Sequence, residues 1–382
     1  MGFRYLSSPL SVKEEALFSI NVNRDLSYEL AKEAFLEIFE DKNAQSRELF
    51  LVQILNGLMA KKPTVQEVTG LLDAVFEYDN FDYRKRPFFK SEKTTITIAG
   101  SGKKGMKTVN LSSLSAFVAS CFDVTVLKLC SPSTSSSTGS QDLISILSGC
   151  SDWCSNDMET ITENTGIGFF SVEAVLPKFA AIYSGRFYAP HALSYALAGM
   201  ATNYKTDKLL YGLSHPNISL SVDVFRHYQI PQVMVISSTM DGIHYIDEST
   251  SIGGTFVEGY KSLDSEPRRQ GVMYFGEILG NCENENVIAC ISQEKDQIEN
   301  IIKGISGLTG SNSALEKQIA INAAIILYLT VGGDVVNLYE KCREVIKSGA
   351  PLEKIRTFIS KISGNRQKVD DLIVKAEHWK LR

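Results

Sequence analysis

The chain lacks any run of about eighteen apolar residues, so no stretch reads as a membrane-crossing helix. Its first residues, MGFRYLSSPLSVKEE, have no apolar core of the kind a signal peptide needs, and Ser7 does not complete a myristoylation pattern around Gly2. Basic charge is not in excess: 39 Lys and Arg stand against 44 Asp and Glu, a net charge of -5. That balance argues against general affinity for nucleic acid or anionic membrane and confines any anion site to a local patch. The seven cysteines are scattered. Cys150 and Cys154 lie close together with no second pair to complete a zinc site, so reduced thiols in a cytoplasmic protein are expected. No period of about 20 to 50 residues recurs, which excludes a repeat architecture.

What is present is an ordinary globular composition, 44% apolar and 22% charged over 382 residues, enough for one large domain or two. The most informative stretch runs from Ile98 to Asp142. A strand-like run, Thr94 to Ile98, leads into the turn Gly100-Ser101-Gly102-Lys103-Lys104-Gly105, and a second, Val124 to Leu129, leads into the serine-rich turn Ser131 to Ser140. Glycines let a backbone approach a ligand closely, and unpaired N–H groups at a following helix start attract anions. Two such loops suggest a doubly anionic ligand.

Before these loops the pattern is helical. Leu30, Ala31, Ala34, Phe35, Ile38 and Phe39 fall at helical spacing behind a Ser27 cap; a second helix covers Ala44 to Ala60; a third opens with the capping box Thr64 and Glu67. Three helices are thus expected before the first strand. The segment EYDNFDYRKRPFFKSEK then reads as a solvated connector, including Arg84-Lys85-Arg86. Beyond it, strand-like runs at Gln232 to Ser237 and Asn286 to Ile291 continue an alternation that predicts an α/β fold, with a mainly parallel sheet and ligands beyond the carboxyl ends of its strands. Ala314 to Val331 reads as a buried helix closed by Gly332-Gly333, followed by helices over Val335 to Ser348, Leu352 to Ile362 and Gln367 to His378.

The order of these parts, and three motifs in one frame, resemble anthranilate phosphoribosyltransferases and their relatives, which include pyrimidine nucleoside phosphorylases. GSGKKGMKTVNLSS from Gly100 to Ser113 aligns without a gap with that family's GTGGDGxNTxNIST, and KLCSPSTSSSTGSQD from Lys128 to Asp142 with its KHGNRxxSSxxGSAD. Gly166 to Asn203 follows a third family stretch. The resemblance implies a small helical domain over 1–78, completed by part of 170–205, a hinge over 79–93 and a phosphoribosyl-binding α/β domain over 94–382. It implies a homodimer, phosphoribosyl pyrophosphate as donor and magnesium carried on the diphosphate. Gly100, Ser101, Gly102, Lys107, Thr108, Asn110, Ser112 and Ser113 fall in the loop that holds the 5-phosphate and ribose. Lys128, Ser135, Ser136 and Gly139 fall in the diphosphate region, and Arg186 matches the arginine facing the anthranilate carboxylate.

The departures concentrate in the chemistry. The acid of the first loop is replaced by Lys104, with Lys103 in place of glycine. The family's magnesium-holding Asp-Glu pair aligns with His244-Tyr245; Asp247 and Glu248, three positions on, could take that place only if the loop shifts, and otherwise read as a solvated acidic pair. Unit charges 4 Å apart interact by roughly 4 kcal/mol at a surface-like dielectric, so a lysine here repels a metal and attracts phosphate oxygens. Lys103, Lys104 and Lys107 are therefore expected to take over part of the magnesium role, with Lys103, Lys104 and Arg186 as the catalytic candidates. On the acceptor side the family's histidines are replaced by Leu129 and Leu176 and its asparagines by Ser131 and Ala196, which disfavours anthranilate as acceptor. The alternatives are a metal-independent nucleoside phosphorylase, binding phosphate with Lys107 and the Ser133 to Thr138 hydroxyls, or a catalytically silent homologue used for ligand binding or protein association.

Overall fold

Capping side chains set the helix starts of the amino-terminal region. The computed structural model describes residues 10–133, 136–183, 187–279 and 287–380. In it four helices precede the sheet: α1 (Val12–Asn21), α2 (Tyr28–Glu40), α3 (Ala44–Lys61) and α4 (Val65–Asp79). The expected three correspond to α2, α3 and α4. The missed α1 is short, yet it opens on a capping box, Ser11 with Glu14, which is the signal that marks it. The box at Thr64 does more than start α4. Glu67, fully buried, accepts from the Thr64 N–H and from Leu26 N at 2.8 Å, and is paired with Lys61 at 3.0 Å, so one carboxylate fixes the entries of α2 and α4 together.

The sheet has the order β3-β2-β1-β4-β5-β7-β8, with β6 paired to β5. Its strands are β1 (Thr94–Gly100), β2 (Val124–Cys130), β3 (Ile167–Ser171), β4 (Lys208–Gly212), β5 (Val233–Thr239), β6 (Tyr245–Ile246), β7 (Gly254–Tyr260) and β8 (Arg268–Met273). From β3 to β5 all neighbours are parallel; β6, β7 and β8 add antiparallel pairs at one side. A parallel sheet must be covered on both faces, and here it is. One core joins Ile96, Ile98 and Val126 to α5 (Leu111–Ala119), α6 (Ser140–Ser148) and the carboxyl-terminal helices. The other joins Leu209, Tyr211 and Val235 to α1–α4 and to Phe179, Leu193 and Tyr195.

The carboxyl-terminal helices run Ser313–Val331, Val335–Lys347, Ala350–Lys361 and Arg366–Glu377, close to expectation. The first is, among the described residues, the one helix long and apolar enough to cross a membrane, but most of it is buried against α5 and the sheet. The strand expected at Asn286 to Ile291 is instead a helix over Val287–Ile291, with Asn286 outside the described residues. A five-residue apolar run has no periodicity to separate the two, and its Ile291 carbonyl accepts from Val109 N at 2.8 Å rather than joining the ladder.

The connector is not uniformly solvated. Arg86 is buried, its Nε donating to the Tyr83 carbonyl at 2.9 Å and its Nη1 to the carbonyls of Met200 and Thr202 at 3.1 and 3.2 Å. Burial lowers its pKa to about 10, which still leaves it charged at neutral pH. Arg86→Ala is expected to lower stability by about 2–4 kcal/mol in chemical denaturation, because three carbonyls lose their donor in a buried setting.

Candidate functional site

Each of the two sequence loops leaves the carboxyl end of a parallel strand and feeds a helix: β1 into α5, and β2 into α6. They border a cavity of about 390 Å³ between the sheet ends and the helical layer. Gly100, Ser101, Gly102, Lys103, Lys104, Lys107, Thr108, Asn110, Ser112, Ser113, Lys128, Ser136 and Gly139 all line it. Ser135 and Arg186 lie outside the described residues.

Asp247 and Glu248 are buried in this cavity, not solvated. The reason is a hairpin. β5 and β6 pair as Ser238↔Ile246 and Thr239↔Tyr245, and the Asp241 carboxylate closes the tip by accepting from Ile243 N, His244 N and His244 Nδ1. His244 is thereby held out in solvent, while the two residues after β6 fold back across the ends of β1 and β4. Asp247 sits so close that a Cβ at Gly100 or Gly212 would collide with it, and its Oδ2 accepts from Gly102 N at 2.9 Å.

Lys104 reaches into the same place. Its Nζ stands 2.5 Å from Glu248 Oε1, 3.4 Å from Asp247 Oδ1 and 2.7 Å from Thr108 Oγ1. The two carboxylates hold its pKa up against burial. Two anions sharing one cation leave an excess negative charge, and burial together with Asp247 pushes Glu248 up to about 7. Among the described residues no three His, Cys, Asp or Glu side chains gather as a metal cage. Asp247 and Glu248 face an ammonium, so the donor set does not fit a directly bound divalent ion while Lys104 is in place.

The other cations are distributed around the polar end. Lys103 has φ +54°, a left-handed conformation that costs a lysine about 1 kcal/mol or more and that glycine adopts freely. Burial and the neighbouring Lys107 lower its pKa to about 8. Lys128 is buried with its Nζ on the Leu129 carbonyl at 3.0 Å, and burial lowers its pKa as it does that of Lys107. The first turn of α5 has no side-chain cap, whereas the start of α6 is occupied by its own Asp142, whose Oδ2 accepts from Ser133 N and Gly139 N at 2.8 Å. The second loop is thus shaped by an internal carboxylate. The hydroxyls of Ser113 and Thr138 are buried at the cavity with no partner among the described residues, which suits donors awaiting oxygen atoms.

The opposite end is apolar, with Leu176, Phe179, Leu193 and Leu197. Phe179 and Tyr183 stack at 4.9 Å and 13°, and Tyr183 Oη is 2.6 Å from His191 Nε2. His191 is kept neutral by burial and by Lys103. Tyr183, His191 and Glu173 belong to the cavity although the motifs did not mark them. They lie within the ungapped stretch 166–203, at positions where the family pattern offered no polar residue to compare. Tyr188, by contrast, is exposed.

Sheet order, loops and cavity together define an α/β glycosyltransferase scaffold with a helical layer on one face. Residues 92–352 match the glycosyl transferase family, a/b domain, and the chain belongs to this family. It is similar to the anthranilate phosphoribosyltransferases of Cupriavidus metallidurans, 24% identical over 85% of this chain and 93% of that one, and of Caldicellulosiruptor saccharolyticus, 24% over 90% and 96%. In fold it is similar to the Thermus thermophilus enzyme, with TM-score 0.70 and 18% identity, covering 91% of this chain and 99% of that one. The Saccharomyces cerevisiae enzyme in complex with PRPP and Mg gives 0.69 and 19%, covering 92% and 98%.

The Glu248 pKa makes the Lys104 pairing pH-dependent. Above about 7 Glu248 is ionised and holds the ammonium; below it Glu248 is neutral and its grip weakens. Glu248→Gln should therefore tighten pyrophosphate binding by about 3- to 10-fold at pH 8 and change it little at pH 6, as read by titration calorimetry.

Proposed function

We propose that the protein transfers a phosphoribosyl group from phosphoribosyl pyrophosphate to a small-molecule acceptor other than anthranilate, with altered use of magnesium. The observation that carries this reading is the Lys104 ammonium seated 2.5 Å from Glu248 on the floor of a cavity otherwise built from donor-type loops. In the transfer, the bond from the ribose C1 to the diphosphate breaks with its electron pair leaving on the diphosphate, and a nucleophile of the acceptor forms the new bond to C1. Negative charge grows on the leaving group, and fixed cations placed beside it lower the barrier. Lys103 and Lys107 take that part, whereas Lys104, expected from the sequence to share it, is engaged by Glu248 and Asp247 and offsets their charge instead. The uncapped start of α5 with Asn110, Ser112 and Ser113 receives the 5-phosphate and ribose, and Lys128, Ser136, Thr138 and Gly139 border the diphosphate, joined by Ser135 from the sequence motif. Arg186 belongs to the acceptor side by the third family stretch, Gly166 to Asn203. Asp247 and Glu248 are the carboxylates that would face a magnesium ion, and Lys104 already engages both, so a metal would supply less of the charge here.

The reading extends to a cytoplasmic homodimer. Phe18 of α1, Val22 just after it, and Leu49 and Val52 of α3 are exposed apolar side chains that a second copy would cover. Light scattering is expected to give twice the chain mass, and Leu49→Glu to shift it toward the monomer.

Titration with phosphoribosyl pyrophosphate, with magnesium and again with a chelator, tests the donor claim. Binding that persists under chelation is expected, and Lys104→Asp should make it magnesium-dependent. Absence of binding in both conditions would overturn the transferase reading in favour of a silent homologue. Formation of ribose 1-phosphate from nucleosides and phosphate would replace it with a phosphorylase.

A further inference from the structure

A second cavity, of about 440 Å³, lies toward the other end of β4: Leu209 lines it, Tyr211 lines the first, and the two share no lining residue. The connector, the segment 199–206 and the end of the helix Ile218–His227 border it. Arg86 lines this space and is 7% exposed. Its Nε and Nη1 are spent on carbonyls, its Nη2 has no hydrogen-bond partner among the described residues, and no carboxylate there pairs with it. A buried guanidinium is ordinarily paired, because an uncompensated charge out of water is costly. Arg84 and Lys205 line the same cavity, and no Asp or Glu does, in a chain whose net charge is -5. The acids behind its walls are already engaged. Asp73 accepts from the Tyr28 and Tyr228 hydroxyls at 2.8 Å, Asp82 from Arg84 N at 2.9 Å, and Glu159 from Tyr204 Oη at 2.6 Å.

Much of the rest of the lining is aromatic. Tyr83 and Tyr228 meet edge to face with ring centres 4.6 Å apart, and Phe88 stands 53% exposed beside them. A cavity of this volume suits a small ligand, aromatic faces accept a planar body, and a guanidinium nitrogen accepts a carboxylate oxygen. We propose that this cavity is a second binding site, for a small planar carboxylate whose oxygen meets Arg86 Nη2 and whose ring lies among Tyr83, Phe88 and Tyr228. Arg84 and Lys205 add attraction for the anion. The site stands apart from the transferase reading, since it uses none of the loops on which that reading rests. The two cavities nevertheless meet in one segment: Leu197 and Ala198 line the first, Gly199 and Thr202 the second, and Arg86 holds the Met200 and Thr202 carbonyls between and beside them.

The probes are 4-fluorobenzoate and 4-fluorobenzylamine, which carry similar rings and opposite charges, and binding to the whole chain is read by fluorine NMR titration. The acid is expected to bind and the amine to bind at least about ten-fold more weakly. Arg84 and His227 line only the second cavity and are exposed, so Arg84→Glu with His227→Glu reverses charge there without disturbing the core. That double variant is expected to weaken the acid by about ten-fold or more. Arg86→Lys, which keeps the charge and removes Nη2, should weaken it by about five-fold or more; if that variant fails to fold, the exposed pair decides. No binding of the acid at millimolar concentration overturns the proposal. So does equal binding of the amine, or an affinity for the acid that the Arg84 and His227 changes leave unaltered, which would place the probe in the first cavity.

Discussion

Two buried carboxylates and one ammonium share the floor of the cavity, and much of the surrounding backbone is arranged to let them meet. Gly100 and Gly212 lack side chains where Asp247 approaches, and Gly102 gives its N–H to the same residue. Lys104 satisfies Glu248 and Thr108 together. Removing one partner of such a cluster leaves an uncompensated charge out of water, which costs far more than the pair contributes when intact. The first loop, β4 and the segment after β6 are therefore coupled through charge as well as through the sheet.

The same cluster explains what was and was not legible in the sequence. Local signals were sufficient for α2, α3 and α4, for the strands around both loops, and for the long carboxyl-terminal helices, because caps and periodicity are properties of neighbouring residues. The fold class followed from the alternation of those elements. Asp247 and Glu248 were legible only as a pair that could enter the site if the loop shifted, because an ungapped frame puts His244 and Tyr245 there. The Asp241-closed hairpin tip is what brings them to the strand ends, a three-dimensional fact with no local signature. Arg86 shows the same limit from the other side. In a run of basic residues, exposure is the sensible expectation, and burial depends on carbonyls more than a hundred positions away.

Membership of the glycosyl transferase family accounts for the loops and the sheet, and the chain's own substitutions account for the rest. Lysines stand where a glycine and an acid stand in the family pattern, and one of them holds a left-handed backbone conformation that glycine would adopt without strain. Strain retained at a ligand-facing position is consistent with the lysine side chain being worth more than the conformational freedom it displaced.

Arg86 also bears on how the connector is held. Its guanidinium fastens the stretch between α4 and β1 to the backbone at Met200 and Thr202. Moving the connector away from residues 200–202 would break two buried hydrogen bonds at once. The position of one segment is thereby tied to that of the other, across more than a hundred residues of chain.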